Sequence, residues 1–256
     1  MENKLVVANL KMDMDATQVA EYLKVINAKN LPKNVIICPS NIFVPYFLNN
    51  SYNVGMQNVF FRTKGEFTGE ISPVQAKSMG IDYTILGHCE RRIYFNESDS
   101  IINKKILCSL KHNMKVIFCV GESLEDKNML RTDRVLKRQI LNGLKDVPLE
   151  KLDDVYIVYE PIWAVGTNTC ASEYEIEKTI CYIKDIVHEF LNFSDIKIMY
   201  GGSINDKNIE KLNKINKLDG FLLGSISTIP DKFLKIIEVV VNQWLFFIKF
   251  DKFRQN

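Results

Sequence analysis

The stretch Val158-Tyr159-Glu160-Pro161-Ile162-Trp163-Ala164-Val165-Gly166-Thr167 places a carboxylate at the exit of an apolar run and follows it with an apolar loop. Connections are normally polar, so the segment Pro161 to Thr167, here called the lid, is expected to close over a site and exclude water. Burial beneath a lid raises the pKa of a carboxylate, which predicts that Glu160 is a general base. The alternative is a salt-bridged glutamate at a buried strand end, with Trp163 as a core residue.

The apolar run before Glu160 is one of a series of similar runs along the chain. Each is nearly continuous in β-branched or aliphatic residues, as expected for strands buried on both faces of a parallel sheet. The runs are Leu5–Ala8, Val35–Cys38, Val54–Met56, Tyr83–Leu86, Val116–Cys119, Val155–Val158, Ile196–Met199 and Gly220–Leu223.

Segments with helical spacing lie between these runs, most clearly Ser98–His112, Arg134–Leu144, Ser172–Phe190 and Asp206–Leu212. Eight alternating units without a Pro/Gly/Ser-rich linker predict an α/β fold of the (β/α)₈ barrel type, forming a single domain over residues 1–243. A doubly wound open sheet is the alternative. It is disfavoured because no G-x-G-x-x-G follows the first strand and no phosphate-loop motif occurs.

Composition limits the classes of partner and compartment. The chain has 256 residues, 46% hydrophobic residues and a net charge of +2, so no global field favours nucleic acid and no nucleic-acid partner is expected. Six scattered cysteines without C-x-x-C spacing indicate reduced thiols. We therefore expect a cytoplasmic protein, or a plastid protein if a transit segment has been removed.

The residues that follow each predicted strand carry the chemistry, because catalytic groups of a barrel lie at the carboxyl ends of its strands. A cation, an imidazole, a carboxylate and two glycine-containing turns are thereby predicted to meet at one rim. These segments are Asn9-Leu10-Lys11, Gly87-His88-Cys89-Glu90-Arg91-Arg92, Tyr159-Glu160-Pro161, Tyr200-Gly201-Gly202-Ser203 and Gly224-Ser225.

In these motifs, and in their order along the whole chain, the sequence resembles the triosephosphate isomerase family. The resemblance includes Gln57-Asn58, Phe67-Thr68-Gly69-Glu70-Ile71-Ser72, Cys119-Val120-Gly121-Glu122 and Asp219-Gly220-Phe221-Leu222. It implies interconversion of dihydroxyacetone phosphate and glyceraldehyde 3-phosphate through an enediolate, with no cofactor.

The resemblance implies a role for each polar residue at the rim. Glu160 matches the base, and His88 matches a neutral electrophile that polarises the carbonyl oxygen at a helix start. Lys11 matches the ammonium that attracts the phosphate and stabilises negative charge, with Asn9 beside it. The backbone N–H groups that bind the phosphate match Gly166, Ser203, Gly224 and Ser225. Supporting roles are expected for Glu90, which would position Lys11, and for Cys89 and Tyr200.

No metal site is expected. His88, Cys89 and Glu90 are potential ligands, but adjacent residues on a turn are not expected to converge on one tetrahedral ion. Cys119 is expected to be a buried small hydrophobic residue, and Arg91 and Arg92 to pair with Glu97 or Asp99.

Several positions depart from the family pattern. The family usually has Trp at Leu10, Asn at Asp13, Ser at Cys89 and a second glycine at Ser225. The second hinge of the lid, Asn168-Thr169-Cys170-Ala171, also differs, which predicts altered closure rates.

The resemblance further implies a homodimer through the loop Gln57–Glu70, in which Thr68 enters the second subunit. The aromatic tail of residues 244–256 is too short and too charged to span a membrane, and we expect it to extend the last helix against the barrel.

Two other functions are compatible with these residues. One is a barrel aldolase or lyase that forms a Schiff base through a lysine, which borohydride trapping with a carbonyl substrate would reveal. The other is a binding protein of this family that has lost most of its activity. Retention of Asn9, Lys11, His88 and Glu160 argues against the second.

Overall fold

The computed structural model describes residues 4–167 and 170–241, and it contains a closed barrel of parallel strands in sequential order. The barrel closes where β1 pairs with β8, with Val6 opposite Phe221 and Ala8 opposite Leu223. The predicted (β/α)₈ barrel is confirmed. The strands are β1 Leu5–Asn9, β2 Val35–Cys38, β3 Asn53–Met56, β4 Tyr83–Leu86, β5 Lys115–Val120, β6 Val155–Tyr159, β7 Lys197–Tyr200 and β8 Gly220–Leu223.

Helices cover the outside of the barrel and connect successive strands. They are α1 Ala16–Asn27, α2 Val44–Phe47, α3 Pro73–Ser78, α4 Cys89–Tyr94, α5 Asp99–Lys111, α6 Leu124–Asn128, α7 Thr132–Gly143, α8 Glu173–Leu191, α9 Ile209–Asn213 and α10 Pro230–Val240. Short 3₁₀ turns span Asn41–Phe43, Leu149–Asp154, Ile162–Ala164 and Ser225–Thr228.

Alternate side chains of the strands build two apolar layers, which explains why the strands are apolar throughout. One layer fills the barrel and includes Val7, Ile85, Ile117, Val158 and Met199. The other lies between strands and helices. Cys119 is fully buried in the inner layer, as predicted, and burial raises its pKa far above the ordinary thiol value.

The predicted strands differ from the observed ones by no more than one residue at either end. The predicted helical segments correspond to α5, α7 and α8, whereas the segment Asp206–Leu212 becomes helical only at Ile209. Its early residues instead form turns in which the Asn205 side chain accepts hydrogen bonds from the Lys207 and Asn208 backbone. Such local side-chain bonds compete with helix formation.

The predicted tail extension at residues 244–256 and the hinge residues Asn168 and Thr169 lie outside the described residues. Within the described part of the chain, none of the helices has the length and apolarity needed to cross a bilayer.

A buried ionic cluster holds the loop after β4 against α5. Glu97 Oε1 accepts from Arg91 Nε and Lys105 Nζ, both at 2.5 Å, and Lys105 also donates to Asn58. Arg92 pairs separately with Asp99 at 2.6 Å. The predicted pairing of these arginines is confirmed, and the cluster fixes the segment that follows His88.

Glu97→Gln should destabilise the protein because it leaves Arg91 and the buried Lys105 without a countercharge. Breaking a buried pair on one side costs about 3–5 kcal/mol. Urea unfolding should show this loss, while Glu21→Gln on the exposed face of α1 should lie within about 0.5 kcal/mol of wild type. Equal stability of the two variants would contradict a structural role for the cluster.

Candidate active site

A cavity of about 290 Å³ opens at the carboxyl ends of the strands. It brings together residues that the sequence places at six different strand ends or loops. Predicted site residues that line it are Asn9, Lys11, His88, Glu160, Val165, Gly166, Ser203, Gly224 and Ser225. Its volume lies at the lower end of the range for ligand sites, which suits a small molecule.

Glu160 and His88 are in direct contact although they follow different strands. His88 Nε2 lies 2.9 Å from Glu160 Oε1, and the backbone N–H of Cys89 donates to Glu160 Oε2 at 3.0 Å. Both side chains are buried. The carboxylate is therefore held by two donors from the start of α4.

His88 is the N-cap of α4. Its Nδ1 accepts from the Glu90 backbone N–H at 3.3 Å, which assigns the proton of a neutral ring to Nε2. Burial lowers the pKa of His88, but the charge and hydrogen bond of the Glu160 carboxylate, together with the Cys89 thiol, raise the pKa overall. The expectation of a neutral ring therefore fits the Nδ1 contact but not the charge of the neighbouring base. The rise in the pKa of His88 therefore depends on Glu160 remaining in contact with the ring.

The pKa of Glu160 also departs from the sequence expectation. Burial acts to raise its pKa, but the His88 ring and the Cys89 backbone N–H, together with the Lys11 charge, lower the pKa below its usual range. Burial alone would have produced the expected rise. With these contacts in place the carboxylate is ionised and stabilised, so it is a weak base.

Lys11 has a backbone φ of 52°, an uncommon conformation for a residue other than glycine. Its carbonyl accepts from Ser40 Oγ at 2.7 Å and from Gln57 Nε2 at 2.8 Å, and its N–H donates to Asn9 Oδ1 at 3.1 Å. These bonds stabilise the strained backbone. The Ser40 contact could not be predicted from the sequence, because a hydroxyl in a loop is too common to be diagnostic.

The Lys11 ammonium is 2.6 Å from Glu90 Oε1, the contact expected of a residue that positions it. It also lies beside Gly224, where an added Cβ would be 3.8 Å from Nζ. A positive charge therefore borders the turn that follows β8.

The predicted phosphate side consists of the turns after β7 and β8. Ser225 begins the 3₁₀ turn Ser225–Thr228, and the first N–H groups of such a turn have no acceptor within it. At Gly202 an added Cβ would lie 2.2 Å from the Tyr200 hydroxyl oxygen, so this turn needs glycine to approach the tyrosine. Gly166, which lies in the lid and has a backbone φ of 70°, is the remaining residue predicted to bind the phosphate.

The lid is anchored by Glu122, a residue to which the sequence assigned no role. Trp163 Nε1 donates to Glu122 Oε1 at 2.7 Å, and the Tyr159 hydroxyl donates to the same oxygen at 3.1 Å. Burial raises the pKa of Glu122, although these bonds partly oppose the rise. The Lys127 ammonium lies 3.4 Å from the centre of the Trp163 ring. The only sequence signal for this anchor is that a glutamate comes directly after Gly121, the glycine that follows β5.

At the far end of the lid, the Tyr200 hydroxyl accepts from the Ala171 backbone N–H at 3.3 Å and contacts Cys170 Sγ at 3.5 Å. Tyr200 thus links β7 to the second hinge. The departures Leu10 and Cys89 are both buried. Asp13 lies on the exposed segment after β1, where its carboxylate accepts from the Thr228 hydroxyl at 3.5 Å.

Backbone packing fixes the position of Glu160. An added Cβ at Gly121 would be 1.9 Å from the Glu160 carbonyl oxygen, so only glycine fits at this point after β5. Glu160 N–H also donates to the Val120 carbonyl at 2.8 Å. The carboxylate therefore projects from a rigid strand end rather than from the lid.

The fold and the site define a single-barrel enzyme of the acid–base type, with a carboxylate, an imidazole and an ammonium around a small cavity. Residues 4–240 match the family model described as triosephosphate isomerase. The chain belongs to the triosephosphate isomerase family.

Curated relatives agree over nearly the whole chain. The triosephosphate isomerase of Thermodesulfovibrio yellowstonii is 37% identical over 248 residues, which cover 93% of this chain and 100% of the relative. The one from Clostridium botulinum strain Langeland is 36% identical, covering 93% and 99%. The one from Dictyoglomus thermophilum is 34% identical, covering 93% and 100%.

The contact between the two buried groups makes a prediction about titration. Glu160→Gln should lower the pKa of His88, because the variant removes the negative charge that raises it. NMR spectra of ¹⁵N-labelled histidine would measure this shift, with His112 and His188 as internal controls. An unchanged or higher His88 pKa in the variant would contradict the pairing.

Proposed function

We propose that this protein interconverts dihydroxyacetone phosphate and D-glyceraldehyde 3-phosphate by proton transfer through an enediolate, as a step of glycolysis and gluconeogenesis. The observation that carries the proposal is the arrangement of Glu160, His88 and Lys11 around one small cavity bordered by glycine-rich turns. Membership of the triosephosphate isomerase family supports the same reaction.

The cavity supports a small anionic substrate. Among the described residues that line it, Lys11 is the sole Lys or Arg, so one phosphate rather than a polyphosphate matches the charge. The remaining phosphate contacts are assigned to backbone N–H groups at Gly166, Ser203, Gly224 and Ser225. Such donors bind an anion without needing a cation for every charge.

Glu160 is proposed to remove a proton from the carbon beside the carbonyl and return it to the neighbouring carbon. In the structure its two oxygens contact His88 Nε2 and the Cys89 N–H. Substrate must therefore displace the carboxylate from both donors before it can act. Once released into a water-free cavity, the carboxylate loses the contacts that lower its pKa and becomes a stronger base.

His88 is proposed to donate the Nε2 proton to the substrate oxygen after Glu160 has turned away. The Glu90 N–H on Nδ1 favours a neutral ring at that stage, because an imidazolium would present a second N–H there. A neutral donor suits an enediolate. Lys11 and Asn9 are proposed to stabilise the developing negative charge, a contribution of the preorganised electrostatic type.

The lid is proposed to close over the cavity and exclude water from the enediolate. Trp163 is bonded to Glu122 and covered by Lys127 in the structure, so the lid moves from a defined resting position. Exclusion of water strengthens the electrostatic contacts and limits side reactions. Tyr200, at the second hinge, is proposed to support this motion.

The pairing of Lys11 with Glu90 disfavours the Schiff-base alternative. A lysine that attacks a carbonyl must be free to reach it, whereas Lys11 Nζ is held by the Glu90 carboxylate at 2.6 Å. The pairing instead suits a cation that attracts phosphate.

Glu160→Gln should lower kcat about 10²–10⁴-fold with little change in KM, because it removes the base and keeps the shape of the side chain. Lys11→Met should raise KM and lower kcat together, since the ammonium contacts both substrate and intermediate. A dehydrogenase-coupled assay measures both variants. Wild-type turnover by Glu160→Gln would exclude Glu160 as the base.

We also propose a homodimer formed through the loop Gln57–Glu70, with Thr68 entering the second subunit. Large apolar side chains are exposed on the loops and short helices that follow four consecutive strands, β1 to β4, whose carboxyl ends lie side by side. They are Met12, Ile42, Tyr46, Phe67, Ile93, Tyr94 and Phe95. An exposed apolar face of this kind is typical of an interface between subunits.

Thr68→Arg should weaken the dimer at least tenfold, because it places a charge in the proposed contact; tenfold corresponds to about 1.4 kcal/mol. Sedimentation equilibrium would measure the dissociation constant. Asn142→Arg, on the exposed surface of α7, is the matched control and should leave it unchanged. A wild-type protein that sediments as a monomer at all concentrations would reject the dimer.

A cytoplasmic location is proposed as well. All six cysteines are free thiols in the structure, which supports a reducing compartment.

A further inference from the structure

Cys89 places a buried thiol directly beside the two central residues of the active site, His88 and Glu160. Its Sγ lies 3.9 Å from His88 Nδ1, and its backbone N–H holds Glu160. Ligand atoms of His88, Cys89 and Glu160 all lie within 4.8 Å of one another, and all three residues are buried. A sulfur, a nitrogen and an oxygen donor therefore lie close together.

This grouping differs from the sequence expectation, which considered only the consecutive residues His88, Cys89 and Glu90. The N-cap geometry of α4 turns the first two toward each other, and the third donor comes from the end of β6 instead. In a tetrahedral zinc site with bonds of about 2.0–2.3 Å, ligand atoms are roughly 3.3–3.7 Å apart. Side-chain rotations that move the donor atoms by about an ångström would bring the three donors to that spacing.

We propose that His88, Cys89 and Glu160 bind Zn²⁺ as an inhibitory ion. The ion would displace the thiol proton, so that Cys89–SH and Zn²⁺ give Cys89–S–Zn⁺ and a released H⁺. One thiolate, one carboxylate and one neutral imidazole balance the charge of a divalent ion. This donor set matches the preference of Zn²⁺ for sulfur and nitrogen.

The surroundings of the three ligands admit an ion. His88 and Glu160 line the cavity, which gives a route of entry and leaves a fourth position open to water. The nearby Lys11 ammonium is paired with Glu90, so its repulsion of a cation is reduced. A bound ion would occupy both the proposed base and the proposed electrophile. The site would therefore regulate activity, and it is not a cofactor site.

Zinc binding can be measured on the whole protein without substrate, by calorimetry with Zn²⁺ and by the visible and ultraviolet absorption of Co²⁺, which reports thiolate ligation and tetrahedral geometry. Wild type should bind one ion at this site with thiolate absorption. Cys89→Ser, which keeps the size of the side chain, should lose that absorption and weaken binding about a hundredfold or more, since even indirect supports of a metal site are worth 10–100-fold.

Cys181→Ser is the matched control, because this thiol lies on α8 beside Lys217 and away from the cavity. It should bind Zn²⁺ as wild type does. In the isomerase assay, the Zn²⁺ concentration for half inhibition should rise in Cys89→Ser by the same factor as the dissociation constant.

The proposal is overturned if Cys89→Ser retains wild-type Zn²⁺ affinity, or if Cys181→Ser removes the thiolate absorption. It is equally overturned if wild type shows no thiolate-ligated Co²⁺. These binding results do not depend on the proposed isomerase activity, so failure of one proposal leaves the other open to its own test.

Discussion

The contact between the Glu160 carboxylate and the first turn of α4 is the constraint on which the rest of the site depends. It joins the ends of β4 and β6 through His88 Nε2 and the Cys89 backbone N–H. Hydrogen bonds to a charged group contribute about 1.5–3 kcal/mol each, so the pair is a substantial local interaction. Gly121 and the Glu97 cluster fix its two sides by packing and by charge.

In the proposed mechanism, the same contact defines a resting state in which Glu160 is not yet free to act as a base. To act as a base, Glu160 must give up two charge-assisted bonds, which together cost roughly 3–6 kcal/mol. Binding energy from the phosphate, far from the reacting carbons, is the natural source of compensation. Closure of the lid would make a similar demand, because Trp163 must either break its hydrogen bond to Glu122 or move together with Glu122. The proposed mechanism therefore couples substrate binding, closure of the lid and activation of the base.

Much of this arrangement could be predicted from the sequence, because a buried parallel strand leaves a strong and local signal. The eight apolar runs gave the barrel, and the polar residue after each run gave Asn9, Lys11, His88 and Glu160 as cavity residues. The short helices α2, α4 and α6 could not be found in this way, since a single turn has too few residues for periodicity. Capping by Ser123 and His88 defines two of them instead.

Contacts between residues of different strands could not be predicted from the sequence. The direction of the Glu160 pKa shift depends on which donors reach the carboxylate, and that information is absent from any single segment. The Glu122 anchor and the grouping of Cys89 with Glu160 likewise arise only when β4, β5 and β6 are brought side by side.

The proposed transfer of a proton between adjacent carbons by Glu160 can be measured by proton NMR of dihydroxyacetone phosphate incubated with enzyme in D₂O. Wild type is expected to incorporate deuterium at the carbon beside the carbonyl, and Glu160→Gln to lose this exchange together with isomerisation. Exchange at the wild-type rate by Glu160→Gln, with its fold intact, would exclude Glu160 as the group that transfers the proton.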